Sequence, residues 1–269
     1  MKKKTNDLSI VYLLFIVLLF VSGMFSGALY QLLYFLSFAL PIALGLYLSR
    51  RDGGLQKEYL SIDKDEAKKT VSLVAPTISV IILVSYITSL IIYLATGRVN
   101  SVDVGNSYPL ALLSHALLPA IFEEALFRYL PLRMLASHSR RGAVLISAFF
   151  FAFAHHDLFT IPYAFFAGAI LMAIDIATGS IWPSVVIHFI NNAVSVSVIF
   201  FSGNTYFAPV IYSVLGLLTV ISLAYIIKNR QKYLVFVSGA YEKGEEFGLT
   251  AEMICFAALM LIVALYNMF

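Results

Sequence analysis

The sequence predicts an all-α membrane protein, a polytopic helical bundle with eight or nine transmembrane helices. Hydrophobic residues make up 61% of the 269 residues, charged residues make up 12%, and the mean hydropathy is +0.89. Apolar segments long enough to cross a hydrocarbon layer of about 30 Å recur along the chain. Backbone amides in lipid must be paired internally, and the alternating pattern of a β-barrel is missing, so the spans are predicted to be helices.

The predicted spans are separated by short polar or charged stretches. In chain order they cover residues 8 to 26, 28 to 48, 71 to 96, 110 to 135, 143 to 159, 161 to 178, 181 to 201, 207 to 227 and 249 to 268. The count is eight or nine because the fifth and sixth spans are short segments around Pro162 that need not each cross fully. No long linker or internal repeat divides the chain, so residues 1–269 are interpreted as a single membrane domain.

The basic residues are concentrated in the connections between spans. If the spans alternate in direction, four basic stretches fall on one side: MKKK, RRDGGLQKEYLSIDKDEAKK, SHSRRG and KNRQKY. The positive-inside rule then puts the N-terminus in the cytoplasm. Topology explains the net charge of +3, and no nucleic-acid partner is predicted. Cys255 is the only cysteine in the sequence, so no intramolecular disulfide can form.

Ionisable and amide side chains inside the spans are the candidate functional residues. A charge at mid-helix costs on the order of 2.5 to 3.5 kcal/mol, so such groups usually face a polar cavity and often mark function. Asp175 is interpreted as a solvated helix end, and His115 and His138 as helix-end or interfacial residues. The remaining candidates are Glu123, Glu124, Arg128, His155, His156, Asp157, His188, Asn191 and Asn192.

Helical geometry sorts these candidates by the face on which they lie. Residues four positions apart share a face, which groups three pairs: Glu124 with Arg128, Phe151 with His155, and His188 with Asn192. Glu123 points about 100° away from Glu124 around the helix. We therefore expect an ion pair between Glu124 and Arg128 that leaves Glu123 as an unpaired acid, suited to act as a general base.

The three motifs together resemble those of a known family. E-E-x-x-x-R, F-x-x-x-H and H-x-x-x-N, in this order on successive helices, are similar to the motifs of the CPBP family. These are the CAAX protease and bacteriocin-processing enzymes, also called Abi, and they include the CAAX prenyl endopeptidases. The run TGSIWPSVVIHFINN also resembles the family's approach to its third motif. The resemblance covers residues 110–200, which are the predicted catalytic core.

The resemblance implies an intramembrane endopeptidase of the glutamate type. The resemblance implies that Glu123 and His155 activate a water molecule, and that His188 and Asn192 stabilise the oxyanion. Glu124 and Arg128 are then supporting residues. The implied partner is a membrane-associated or lipidated peptide or protein, and the implied location is the plasma membrane of a bacterium or archaeon. Whether the substrate is prenylated stays open.

Two alternatives concern the site itself. Glu123, His155 and His188 are also a feasible zinc ligand set with one open position. Asn192 would be an unusual zinc ligand but is a good oxyanion donor, and H-E-x-x-H does not occur, so we expect no cofactor. His156 would replace His155 in another helix register, although the spacing from the second-motif phenylalanine selects His155.

Two other functions remain alternatives. Buried carboxylates and histidines also form proton relays, so a proton-coupled transporter is one of them. Transporters usually have broken helices or paired repeats, and the sequence shows no matching half. The other alternative is a non-catalytic bacteriocin-immunity or regulatory membrane protein that keeps the motif residues for structure.

Overall fold

Helices account for all regular secondary structure in the described part of the chain, which confirms the predicted fold class. The computed structural model of the protein describes residues 2–51, 59–61, 64–97, 103–155, 160–240, 254 and 256–258. Within these ranges the helices are α1 Lys2–Ser22, α2 Gly27–Arg51, α3 Lys64–Thr96, α4 Tyr108–Leu135, α5 Arg140–Ala154, α6 Thr160–Thr178, α7 Trp182–Phe200, α8 Phe207–Lys228 and α9 Arg230–Ala240.

Seven of the described helices, α1 to α4 and α6 to α8, are long and apolar enough to cross a membrane. The predicted fifth span corresponds to α5, which has 15 residues. At 1.5 Å per residue α5 is about 22 Å long, shorter than a hydrocarbon layer of about 30 Å. The predicted last span, residues 249–268, lies mostly outside the described residues.

Several helix ends meet at one end of the bundle, here called the basic end. In the last turns of α4 and α2, Nε of Arg133 donates to Oγ of Ser49 at 3.0 Å. The turn between α6 and α7 lies there too, because the backbone N–H of Ile181 donates to the carbonyl of Tyr59 at 2.9 Å. The ends of α2, α4 and α6 therefore lie on the same side of the bundle.

α4 contains two turns that are wider than an α-helix. Leu113–Leu117 and Ala125–Tyr129 are π-helical, with hydrogen bonds between residues five positions apart. Pro119 follows the first turn by two residues, and Pro131 follows the second in the same way. A proline ring clashes with the carbonyl four residues back in an α-helix, and a wider turn relieves that clash.

Two hydroxyl groups from neighbouring helices stabilise the second π turn. Pro131 has no N–H to offer to the carbonyl of Phe127, four residues back, or to that of Leu126, five residues back. Tyr12 of α1 donates to the Leu126 carbonyl at 3.3 Å, and Ser147 of α5 donates to the Phe127 carbonyl at 2.5 Å. Because lipid offers no hydrogen-bond donors, these contacts satisfy backbone oxygens that water would satisfy in a soluble protein.

The densest aromatic packing lies where α1, α4 and α5 meet. The rings of Tyr12 and Phe127 are 5.4 Å apart, and those of Tyr12 and Phe150 are 4.1 Å apart. α6 approaches α5 closely at Gly168, where an added Cβ would lie 3.1 Å from the Cα of Ala148. This close approach positions α5 between α4 and α6, so the second motif faces the first.

Candidate active site

Glu124 links α4 to α7 at the centre of the candidate site. Its Oε2 lies 3.3 Å from Nε of Arg128, and both side chains are fully buried. Its other oxygen, Oε1, lies 2.7 Å from Nδ1 of His188. The expected pairing of Glu124 with Arg128 is therefore present. The contact with His188 is a second one, which helical spacing within α4 could not reveal.

Glu123 adjoins this cluster but does not take part in the ion pair. Its Oε2 lies 3.8 Å from Nε2 of His188, and its side chain is 20% exposed, whereas that of Glu124 is 0% exposed. His188 thus has one ring nitrogen towards each glutamate. The two adjacent carboxylates approach the same imidazole from different sides.

The Phe151 ring contacts three residues of the site, which gives the aromatic position of the second motif a structural role. The guanidinium carbon of Arg128 lies 4.2 Å from the ring centroid, and a cation over an aromatic face is attracted by the ring quadrupole. The rings of His155 and His188 meet it edge-on, with centroids 4.7 Å and 5.9 Å away. Phe151 therefore separates the two histidines and covers the buried cation.

His155 caps the C-terminal end of α5, and its side chain is exposed. Its Nδ1 lies 2.8 Å from the carbonyl oxygen of Phe151 and must donate there, so Nε2 keeps a lone pair when the ring is neutral. Among the described residues no hydrogen bond joins His155 directly to Glu123. His156 and Asp157, also candidates from the sequence, lie outside the described residues.

Asn192 lies one turn beyond His188 on α7 and is partly buried. Its Oδ1 accepts a hydrogen bond from Nδ2 of Asn191 at 3.4 Å, and the Tyr163 hydroxyl donates to Oδ1 of Asn191 at 3.5 Å. The first of these contacts engages the carbonyl oxygen of the Asn192 amide, and the second holds Asn191 in place. The Nδ2 group of Asn192 therefore remains a donor, which is what an oxyanion site requires.

The interpretation of Asp175 as a solvated helix end is wrong, because the side chain is 0% exposed. Its Oδ2 lies 2.7 Å from Oγ of Ser184, and it interacts electrostatically with Glu124 and Arg128. The reason is tertiary, since α7 folds back directly after α6 and covers the end of α6 with Ser184. The available sequence signal was an acidic residue inside an apolar span, followed nine positions later by a serine. His115, in contrast, is exposed on α4.

The described residues contain no group of three or more His, Cys, Asp or Glu side chains arranged to hold a metal ion. The alternative ligand set of Glu123, His155 and His188 forms no such group. Nε2 of His188 faces Glu123, while Nδ1 of His155 bonds the backbone of its own helix.

Comparison with known proteins gives one match. Residues 105–194, which are 90 of the 269 residues, match the family model described as Type II CAAX prenyl endopeptidase Rce1-like. The matched range contains all three motifs, from Glu123 to Asn192. No curated protein and no solved structure matches the chain.

The family match supports an intramembrane endopeptidase, and it suggests a membrane-associated peptide as the substrate. Together with seven apolar helices, it supports an integral membrane protein. Residues 105–194 are therefore similar to the Rce1-like type II CAAX prenyl endopeptidases, which confirms the resemblance of this segment to the CPBP family.

Proposed function

We propose that this protein hydrolyses a peptide bond in a membrane-associated or lipidated peptide or protein, using Glu123, His155, His188 and Asn192. The observation that carries the proposal is the meeting of Glu123, Glu124 and His188 inside the family-matched segment. Ionisable groups are costly within a membrane, so a cluster of them drawn from two helices supports a chemical role.

Glu123 is the proposed general base. Its carboxylate is outside the ion pair with Arg128 and its side chain is partly open, so it can take a proton from a water molecule. His155 assists, because its Nε2 can accept a hydrogen bond from the same water. As the proton moves to Glu123, the water oxygen bonds to the carbonyl carbon of the substrate, and the carbonyl oxygen becomes the oxyanion.

His188 and Asn192 are the proposed oxyanion donors. For Nε2 of His188 to donate, the ring must carry a proton on both nitrogens, and the Glu124 carboxylate at 2.7 Å is the counter-ion for that form. Nδ2 of Asn192 supplies the second donor. When the tetrahedral intermediate collapses, the C–N bond breaks and the proton held by Glu123 passes to the leaving amine nitrogen.

The proposed mechanism uses no cofactor, and metal removal tests this. Exhaustive chelation of the purified enzyme should leave cleavage of a confirmed substrate unchanged. Loss of activity on chelation, followed by recovery with stoichiometric zinc, would make the metal-free mechanism wrong. Glu123, His155 and His188 would then be reassigned as zinc ligands.

The proposed orientation has the N-terminus and the basic end in the cytoplasm. The grouping of Ser49, Tyr59 and Arg133 at one end supports it, because these residues flank or belong to basic connections on one predicted side. Ile181 lies in a connection that is predicted to be on the same side. A reporter fused after Lys69 should show cytoplasmic activity. Activity on the outer side would reverse the orientation and the side from which substrate enters.

Mass spectrometry of membrane peptides tests the function directly. We expect a cleavage product in cells with the wild-type protein that is missing in cells without it and in cells with Glu123→Gln. His115→Ala, at an exposed histidine on the same helix, should behave as wild type. Identical peptide sets in all strains would contradict proteolysis. A transport defect in Glu123→Gln would then support a proton relay, and no defect would support a non-catalytic role.

A further inference from the structure

We propose that Tyr163 and Asn191 are positioning residues of the active site, which together determine which end of the Asn192 amide faces the substrate. Tyr163 bonds Asn191, and Asn191 bonds Asn192. The effect on catalysis rests on the proposed function, in which Nδ2 of Asn192 donates to the oxyanion. The orientation of the amide itself can be measured without a substrate.

The hydrogen bonds that join these three side chains run in one direction. The Tyr163 hydroxyl donates its only proton to Oδ1 of Asn191 at 3.5 Å. The amide of Asn191, whose oxygen is thus engaged, uses Nδ2 to donate to Oδ1 of Asn192 at 3.4 Å. Oδ1 of Asn192 is therefore turned towards Asn191, and Nδ2 of Asn192 is at the other end of its amide.

The opposite orientation of the Asn192 amide is disfavoured by the same contacts. A rotation of 180° about the bond between Cβ and Cγ would exchange its oxygen and nitrogen, and Nδ2 of Asn192 would then lie against Nδ2 of Asn191. Both groups are donors only, so this contact would lose its hydrogen bond and bring like partial charges together. Because both hydrogen bonds are long, the orientation depends on the polarity of the contacts more than on the strength of either bond.

Tyr163 is held in place by the hydrophobic core. Its ring packs against a cluster that joins α3, α6 and α7 and consists of Ile81, Leu171, Ile174 and Ile187. Tyr163 lies near the start of α6, whereas Asn191 lies on α7, so their contact crosses between two helices. A side chain that is fixed by packing on a rigid helix can hold a functional group in a defined geometry.

The first test uses the whole protein with ¹⁵N-labelled asparagine and follows the side-chain amide of Asn192 by NMR. The Asn192 signals are identified by their loss in Asn192→Ala. Tyr163→Phe keeps the ring and removes only the hydroxyl, and it should shift these signals. Asn191→Asp should shift them further, because a carboxylate cannot donate and Asn192 should turn its Nδ2 group towards it. Unchanged Asn192 signals in either folded variant would overturn this inference.

The matched control is Tyr108→Phe. The Tyr108 hydroxyl also contacts a side chain of α7, since it lies 2.8 Å from Oγ of Ser197, and Ser197 in turn donates to the backbone carbonyl of Ala193. Because this contact is the shorter one, Tyr108→Phe should lower stability at least as much as Tyr163→Phe. It should leave the Asn192 amide signals and kcat at their wild-type values. An equal fall in kcat in both variants would show that the loss of any hydroxyl between helices explains the effect, and would overturn the inference.

Enzyme kinetics supply the second measurement. Tyr163→Phe should lower kcat on the order of 10-fold with little change in KM, and Asn191→Asp should approach the loss of about 10²- to 10³-fold expected for Asn192→Ala. In the Asn192→Ala background, Tyr163→Phe should lower kcat no further, because the hydroxyl acts only through Asn192. Equal losses of kcat with and without Asn192 would overturn the inference. Absence of proteolysis in the wild type would contradict the proposed function alone, since the NMR measurement does not depend on it.

Discussion

The adjacent glutamates of α4 belong to two layers of the site that are built differently. In the buried layer, Glu124 is fully enclosed with Arg128 and Asp175. In the open layer, Glu123 and His155 are in part accessible. A buried carboxylate needs fixed partners to offset its lost hydration, whereas a general base must reach water. Two neighbouring residues of one motif therefore differ in environment: Glu124 has the burial and the ion pair of a stabilising group, whereas Glu123 has the access to water that a general base needs.

The two layers also lie at different heights. From the basic end of α7, His188 lies about 9 Å along the helix and Asn192 about 15 Å. Ser184 is one turn nearer the basic end than His188, and Asp175 is in the last turn of α6. The buried layer therefore lies nearer the basic end than the open layer. His188 connects the two, because it contacts both Glu124 and Glu123.

The largest expected effect is the loss of activity in the open layer. Glu123→Gln and His155→Ala should each nearly abolish proteolysis, because both side chains are proposed to act on the attacking water. Folded yield should stay close to that of wild type in both variants. Cleavage of a confirmed substrate by reconstituted enzyme measures this, with His115→Ala as the histidine control. Substantial cleavage by either variant would contradict its assignment to the water.

A smaller loss is expected at Asn192. Asn192→Ala should lower kcat by about 10²- to 10³-fold, the usual effect of removing one oxyanion donor. The matched control is Asn229→Ala, because the Asn229 amide bonds the last turn of α8, away from the site. A change in KM alone would show that Asn192 binds substrate rather than the oxyanion.

Substitution of a residue in the buried layer should lower the stability of the protein. Glu124→Gln leaves Arg128 without a charged partner, and breaking a buried ion pair costs about 3 to 5 kcal/mol. The yield of monodisperse protein after detergent extraction should fall for Glu124→Gln and stay nearly intact for Glu123→Gln. Equal yields would mean that the two glutamates do not belong to different layers.

The smallest effect is expected at the hydroxyl that stabilises the second π turn. Ser147→Ala leaves the Phe127 carbonyl without this donor inside the bundle, so we expect a loss of about 1 to 3 kcal/mol. Thermal unfolding in detergent measures it. The control is Ser9→Ala, since the buried Ser9 hydroxyl bonds the Thr5 carbonyl of its own helix. Equal melting shifts would show that the π turn needs no support from α5.

Patterns within single helices made much of this protein predictable from its sequence. Hydropathy over about 20 residues is a local property, so the membrane class and most helices followed directly. The contacts between Glu124 and Arg128 and between Phe151 and His155 lie within one turn, where helical spacing determines which residues meet. α5 proved too short to span a membrane by itself, because a hydrophobic run does not show where the helix ends.

The sequence by itself thus determined the membrane class, the motif residues and the pairing within α4. Only the tertiary structure decided that His188 bonds Glu124, 64 residues away, and that Asp175 is enclosed by Ser184. Both contacts depend on how separate helices rotate and cross. That arrangement follows from the packing of all the helices together, so no local spacing in the chain contains it.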